Sequence, residues 1–272
     1  MARRGSLVRR TDAAGLTEPA PMRHKKAMSN WISRLFSRTA DLAPSGICPE
    51  SSFYAIGDVH GRDDLLGRLL GSLDPALPVV CVGDYIDRGE ESAAVLRRLS
   101  QSNHTCLMGN HEEMLLRFLD KPEAEGQRWL QNGGLQTLAS FGISGVTPLS
   151  APAALRSAAI DLKAAMGDEL IAWLRERPLW FKSGNVCVVH AGADPARPVA
   201  EQSRSLTWGH RDFENSPRRD GLWIVHGHTI VEAASATAGR IAIDTGAYAT
   251  GRLTAARFEV GTVTFSDTAT PG

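Results

Sequence analysis

Three times between residues 53 and 120 the chain repeats one plan: a short apolar run, a polar loop opening on Gly followed by Asp or Asn, and an amphipathic stretch. "FYAI" leads through "GDVHG" to "RDDLLGRLLGSL", "VVCV" through "GDYIDRG" to "EESAAVLRRL", and "HTCLM" through "GNHE" to "EMLLRFLD". Short apolar runs alternating with helix-like segments predict adjacent strands in a largely parallel sheet. Asp58, Asp84 and Asn110 open the three loops at intervals of 26 residues, one module per step. The loops should therefore emerge along one sheet edge, and in open α/β sheets ligands sit beyond the carboxyl ends of the strands.

Between about 112 and 180 the pattern turns helical, with Trp129, Leu130, Leu135, Leu138 and Phe141 interrupted by "NGG" and "FGISG" and a second helical stretch over 155–177. This reads as an insertion that caps or flanks the site. Strand-like runs return at "NVCVVHAG", "LWIVHGHT", "RIAIDTGA" and "RLTAARFEV", close enough together to predict a second sheet, mixed or antiparallel. The first ends in His190 and the next carries His226 and His228, which share a face by strand alternation.

With 272 residues, 43% hydrophobic and 22% charged, the chain can build one sizeable core. That domain is expected at 46–265, after a basic, poorly ordered extension at 1–45 and before a tail at 266–272. Thirty basic side chains balance thirty acidic ones, but residues 1–40 hold nine basic against two acidic. The remaining body is net acidic, which argues against nucleic acid as the main partner. The apolar runs fall short of the roughly 18 residues of a membrane span, and the basic N-terminus lacks an apolar signal region, so a cytoplasmic location is expected. Cys48, Cys81, Cys106 and Cys187 show no C-x-x-C spacing; the last three fall in apolar runs, as reduced buried thiols would.

Asp58, His60, Asp84, Asn110, His190 and His228 offer only oxygen and nitrogen, a donor set that suits Mn²⁺, Fe or Zn²⁺ and not a thiolate centre. Six such groups suffice for two ions if Asp84 bridges them. "GDVHG", "GDYIDRG", "GNHE", a strand-end "HAG" and "GHT", in that order, resemble the signatures of calcineurin-like metallophosphoesterases over residues 53–258. The Arg after the second Asp of "GDYIDRG" resembles the phosphoprotein phosphatase branch, especially small bacterial serine/threonine phosphatases and their relatives that hydrolyse diadenosine tetraphosphate.

The resemblance implies an α/β fold, a four-layer α/β/β/α sandwich of two mixed β-sheets flanked by helices. It implies two divalent ions, Mn²⁺ first with Fe or Zn²⁺ as alternatives, one held by Asp58, His60 and Asp84 and the other by Asp84, Asn110, His190 and His228. His111 matches the general acid, Asp87 the carboxylate that holds it, and Arg88 a phosphate clamp, with Asn110 also on the phosphate side. The family places a second phosphate arginine in a W-x-R stretch. Here "LTWGHRDF" puts His210 in that slot and Arg211 one residue on, and Arg211 is the expected contact because a loop absorbs a one-residue shift. Tyr248, in "IDTGAYATGRLTA", is expected to line the pocket.

The implied reaction is phosphomonoester hydrolysis, in which hydroxide formed at the metals attacks phosphorus directly and an imidazole protonates the leaving oxygen. A phosphoserine or phosphothreonine protein is the first expected substrate, with phosphotyrosine next. Dinucleoside polyphosphate hydrolysis would use the same ligands, and a non-catalytic phospho-ligand-binding module is the remaining alternative. Outside the motifs the expectations are structural: Trp129, Trp173, Trp180 and Trp223 as packing, "NGG" as a turn with backbone angles that glycine permits, and His226 behind the ligands.

Overall fold

The computed structural model describes residues 46–269; the extension expected at 1–45 and residues 270–272 lie outside the described residues. The three modules form β1 (Phe53–Ile56) and α1 (Asp63–Ser72), β2 (Val79–Cys81) and α2 (Ser92–Ser100), and β3 (Thr105–Cys106) and α3 (Asn110–Asp120). Their strands pair in parallel, with Ala55 opposite Val80 and Cys81 opposite Cys106. Asp63 and Asp64 occupy the first turn of α1, where carboxylates favour the helix dipole. The start of α3 is closed by Glu112, whose carboxylate accepts the Gly109 N–H at 3.0 Å.

Four helices follow: α4 (Pro122–Trp129), α5 (Leu135–Ser140), α6 (Pro152–Met166) and α7 (Asp168–Arg175). Pro122 and Pro152 stand in the first turns of α4 and α6, where a missing N–H leaves no bond unmade. A π-type turn, Leu130–Gly134, joins α4 to α5 at the "NGG" break. The chain then forms β4 (Trp180–Ser183), β5 (Val186–Val189), α8 (Arg204–Trp208), β6 (Trp223–His226), β7 (Ser235–Thr237), β8 (Arg240–Ala242), α9 (Ala247–Thr250), β9 (Thr254–Glu259) and β10 (Thr262–Asp267).

The second sheet has the order β4-β5-β6-β8-β7 and is mixed, with β5, β6 and β8 parallel and an antiparallel strand at each edge. The run "RLTAARFEV" departs from the expectation that it joins this sheet. As β9 it lies between β10 and β1 in the first sheet, antiparallel to both. Its residues explain the choice: Ala256 and Phe258 bury one face between the sheets while Ala255 packs among the helices. A strand covered on both faces needs an interior position, and the one beside β1 supplies it. The tail expected from residue 266 begins inside β10, whose last two residues are Ser266 and Asp267.

Strand alternation builds the layers. Phe53, Ala55, Val80, Val82, Ala256 and Phe258 of the first sheet meet Val186, Val188, Val225, Ile241 and Ile243 of the second. Tyr54, Ile56, Val79, Cys81 and Cys106 point the other way into the helices. Behind the second sheet, Cys187, Val189 and Ile224 pack against Leu206 and Phe213. The result is an α/β/β/α sandwich whose outer layer is thick over the first sheet and thin over the second. The four cysteines are free, and no helix among the described residues is long and apolar enough to cross a membrane.

Phe53 stands at the centre of the inter-sheet layer, stacked on Phe258 at 4.8 Å and edge-on to Phe181 at 5.4 Å between ring centroids. Phe53→Ala is expected to lower unfolding free energy by about 3–5 kcal/mol, measured by urea titration.

Candidate functional site

The three loops of the first sheet and two of the second converge on Asp84. The His60 and His111 Nε2 atoms lie 3.6 and 3.8 Å from Asp84 Oδ2, and His190 Nε2 lies 3.3 Å from Oδ1. His190 Nε2 is also 2.9 Å from Asn110 Oδ1. His60, Asp84 and His111 form one group whose ligand atoms lie within 4.8 Å of one another, and Asp84, His190 and His228 form another, so Asp84 is common to both. Asp58 joins through its Oδ2, which accepts the His228 N–H at 2.9 Å. The nine expected residues Asp58, His60, Asp84, Asp87, Arg88, Asn110, His111, His190 and His228 are therefore linked in one contact network.

The loops adopt conformations that an L-residue resists. His60, Asp84, Asp87, Arg88 and His228 all have positive φ, between 46° and 71°, leaving Ala238 as the remaining non-glycine case among the described residues. Glu112 holds the turn at Asp84: its two oxygens accept the N–H groups of Asp84, Tyr85 and Gly109 at 2.8, 2.8 and 3.0 Å. His60 Nδ1 donates to the Ile86 carbonyl at 2.8 Å, which leaves the Nε2 lone pair facing Asp84.

His111 Nδ1 lies 2.6 Å from Asp87 Oδ2, and its Nε2 is 3.4 Å from Arg88 Nη2. The Arg88 guanidinium stands 4.9 Å above the Tyr248 ring and places Nη1 3.2 Å from His60 Nε2. Tyr248 thus lines the site as expected. Burial opposes a charge on His111, but Asp84 and Asp87 outweigh it and raise its pKa above the ordinary imidazole value.

The chemistry of the donor set fits cations. Asp58 Oδ1 is buried without a hydrogen-bond partner among the described residues, and a β-carbon on Gly227 would overlap it. Burial and the nearby charges of Asp244 and Asp84 push Asp58 well above the carboxylate range, and burial with Asp84 pushes Glu112 up to about 7. Burial also lowers His60 to about 3 and His228 to about 4, so both imidazoles are neutral, with the His60 Nε2 lone pair facing Arg88 as well as Asp84. Mutually repelling acids beside neutral imidazoles form a pocket that positive ions would relax.

Two expected residues stand apart. The Arg211 side chain is 89% exposed, with Asp212 its ionic partner at 3.5 Å, on the wall of a cleft of about 310 Å³ that reaches His228. His210 turns toward Asp194 at 3.8 Å. His226 faces Phe213 at 5.0 Å on the outer side of the second sheet. The strand ends at His226, and the left-handed turn at His228 removes the alternation that would have kept the two together.

Glu112, inside "GNHE", has a structural role that its motif does not signal, and Trp129 is expected as packing. Trp129 is packed, but its Nε1 also donates to both Asp87 oxygens, at 3.0 and 3.2 Å. Thr137, which carried no motif signal, donates to Asp87 Oδ1 at 2.6 Å. Glu112→Gln replaces one acceptor with a donor opposite buried N–H groups and is expected to cost about 1–3 kcal/mol of stability by urea titration.

The sequence profile of the calcineurin-like phosphoesterase family matches residues 51–232. Serine/threonine-protein phosphatase 2 of Escherichia coli is 42% identical over 84 residues, 30% of this chain and 38% of the relative. The symmetrical bis(5'-nucleosyl)-tetraphosphatase of Methylococcus capsulatus is 33% identical over 150 residues, 53% of this chain and 44% of the relative. The chain thus spans less than half the length of both. It spans 91% of serine/threonine-protein phosphatase 1 of Salmonella typhimurium, at 29% identity over 76% of its own length. A crystal structure provisionally assigned as a diadenosine tetraphosphatase superposes with a TM-score of 0.57 at 20% identity, covering 82% of this chain and 98% of the other, a likeness of fold. With the profile covering well over half of the chain and its loops meeting at one buried cluster, the protein belongs to the calcineurin-like phosphoesterase family.

Proposed function

We propose that the protein is a metal-dependent phosphomonoesterase acting on phosphoserine and phosphothreonine in proteins. The observation that carries this reading is the His111–Asp87 pair, 2.6 Å apart, with the imidazole directed at Asp84 and Arg88. Asp58, His60 and Asp84 would hold one divalent cation, and Asp84, Asn110, His190 and His228 a second, with Mn²⁺ as the first candidate. Bound there, the cations supply Lewis acidity that lowers the pKa of water and withdraws charge from the phosphoryl group.

Hydrolysis adds the oxygen of water to phosphorus, breaks the ester P–O bond and delivers a proton to the departing side-chain oxygen. A serine alkoxide is a poor leaving group, and His111, whose pKa Asp84 and Asp87 raise, hands over that proton from Nε2. Asp87 fixes the ring through Nδ1. Arg88 presents a planar donor fork, held over Tyr248, to the phosphate oxygens. We place the reaction in the cytoplasm, in keeping with the free, buried thiols Cys81, Cys106 and Cys187.

Dinucleoside polyphosphate hydrolysis is the second reading, favoured by the tetraphosphatase among the relatives and by the cleft beside His228, which has room for a larger leaving group. Turnover of a phosphoserine peptide and of diadenosine tetraphosphate, measured side by side in Mn²⁺, decides between them: higher kcat/KM on the peptide is expected, and the reverse order replaces the first reading with the second. His111→Asn is expected to lower kcat by about 10²–10⁴-fold while elemental analysis finds metal content close to wild type. Asp84→Asn should instead lose most of both metals, and chelation followed by Mn²⁺ should abolish and then restore turnover of the wild-type enzyme.

A further inference from the structure

We infer that Trp129 and Thr137 are positioning residues for proton transfer, acting through Asp87 on His111; this rests on the phosphomonoesterase reading above. The Asp87 carboxylate is fully buried and has three side-chain donors. Oδ2 takes His111 Nδ1 at 2.6 Å and Trp129 Nε1 at 3.0 Å. Oδ1 takes Thr137 Oγ1 at 2.6 Å and the same indole N–H at 3.2 Å. The indole N–H therefore straddles the carboxylate, and Thr137 closes the side opposite His111. With both in place the carboxylate has no rotation that keeps its bonds, and the oxygen facing His111 is determined.

The helical connection is shaped for this contact. Trp129 and Thr137 are themselves fully buried and flank the π-type turn Leu130–Gly134, so one irregular helix delivers both donors. Gly133, at φ 109°, gives its carbonyl to the Arg88 N–H at 3.3 Å, and a β-carbon there would stand 2.7 Å from that nitrogen. A β-carbon on Gly134 would meet the Trp129 ring at 2.6 Å. Residues 129–137 thus brace the Asp87–Arg88 loop from behind. Trp129 and Thr137 touch neither the ligand cluster nor the open cleft, so their effect on chemistry passes through Asp87.

Leaving-group chemistry separates positioning from general structural support. A serine alkoxide needs the proton from His111, whereas dinitrophenolate leaves without one. Trp129→Phe keeps the ring and removes the N–H; Thr137→Val removes the hydroxyl, and Thr137→Ser retains it. Trp129→Phe and Thr137→Val are each expected to lower kcat on a phosphoserine peptide about tenfold. On 2,4-dinitrophenyl phosphate the loss should stay within about twofold, with KM and bound Mn²⁺ unchanged on both substrates. Thr137→Ser should recover most of the rate, and in a His111→Asn background Trp129→Phe should add little.

Equal losses on the two substrates, or a full additional loss in the His111→Asn background, would overturn the inference. If Trp129→Phe does not fold, the Thr137 pair carries the same comparison. A wild-type enzyme inert toward both substrates refutes the proposed function and not the network. The network is read independently in the metal-free protein by NMR: exchange of the His111 Nδ1 proton with water should quicken several-fold in Trp129→Phe, and an unchanged rate would refute it.

Discussion

A single buried carboxylate, that of Asp84, gathers groups from both sheets of the sandwich. His60 and His111 approach one of its oxygens from loops of the first sheet, while His190 of the second sheet and the His111 N–H approach the other. Burial works against the charge, but the imidazoles of His190, His111 and His60 outweigh it and hold the pKa well below the ordinary carboxylate range. At Asp58, Glu112 and Asp244 burial and neighbouring carboxylates win instead, and their pKa values are pushed upward.

The backbone around this carboxylate is strained, and five of the six left-handed non-glycine residues among the described residues lie at the site. Left-handed conformations at His60, Asp84, Asp87, Arg88 and His228 cost on the order of 1–3 kcal/mol each for residues of this kind. Buried hydrogen bonds offset the cost locally: three N–H groups converge on Glu112, and the Asp87 N–H lies 3.0 Å from Thr137 Oγ1. The inter-sheet aromatic layer and the helices behind the first sheet keep the loops from relaxing. Rigid strands with irregular, over-determined ends are how a site of fixed geometry is made from five separate segments.

The same division explains why phosphate chemistry is easier to read than substrate identity. The motifs specify the groups proposed to hold metal ions and phosphate, and these are crowded around Asp84. The cleft beside His228 is walled by Trp208, His210, Arg211 and Glu214, none of which belongs to the metal-site motifs. Arg211 is exposed there, paired with Asp212.

The strand–loop–helix modules and the Gly-Asp loops were legible because they are local: period-two and helical periodicity lie within about ten residues, and a 26-residue step repeats the same unit. That locality determined the first three strands, the ligand types and their order along the sheet edge. Tertiary packing alone decided the rest. The strand β9 returned to the first sheet because both its faces needed cover, His226 and His228 separated at a left-handed turn, and Trp129 and Thr137 reached Asp87 from 42 and 50 residues away. Hydrogen bonds across such separations leave no periodic trace, since a buried indole N–H and an ordinary core tryptophan are the same letter until the partner carboxylate is in place.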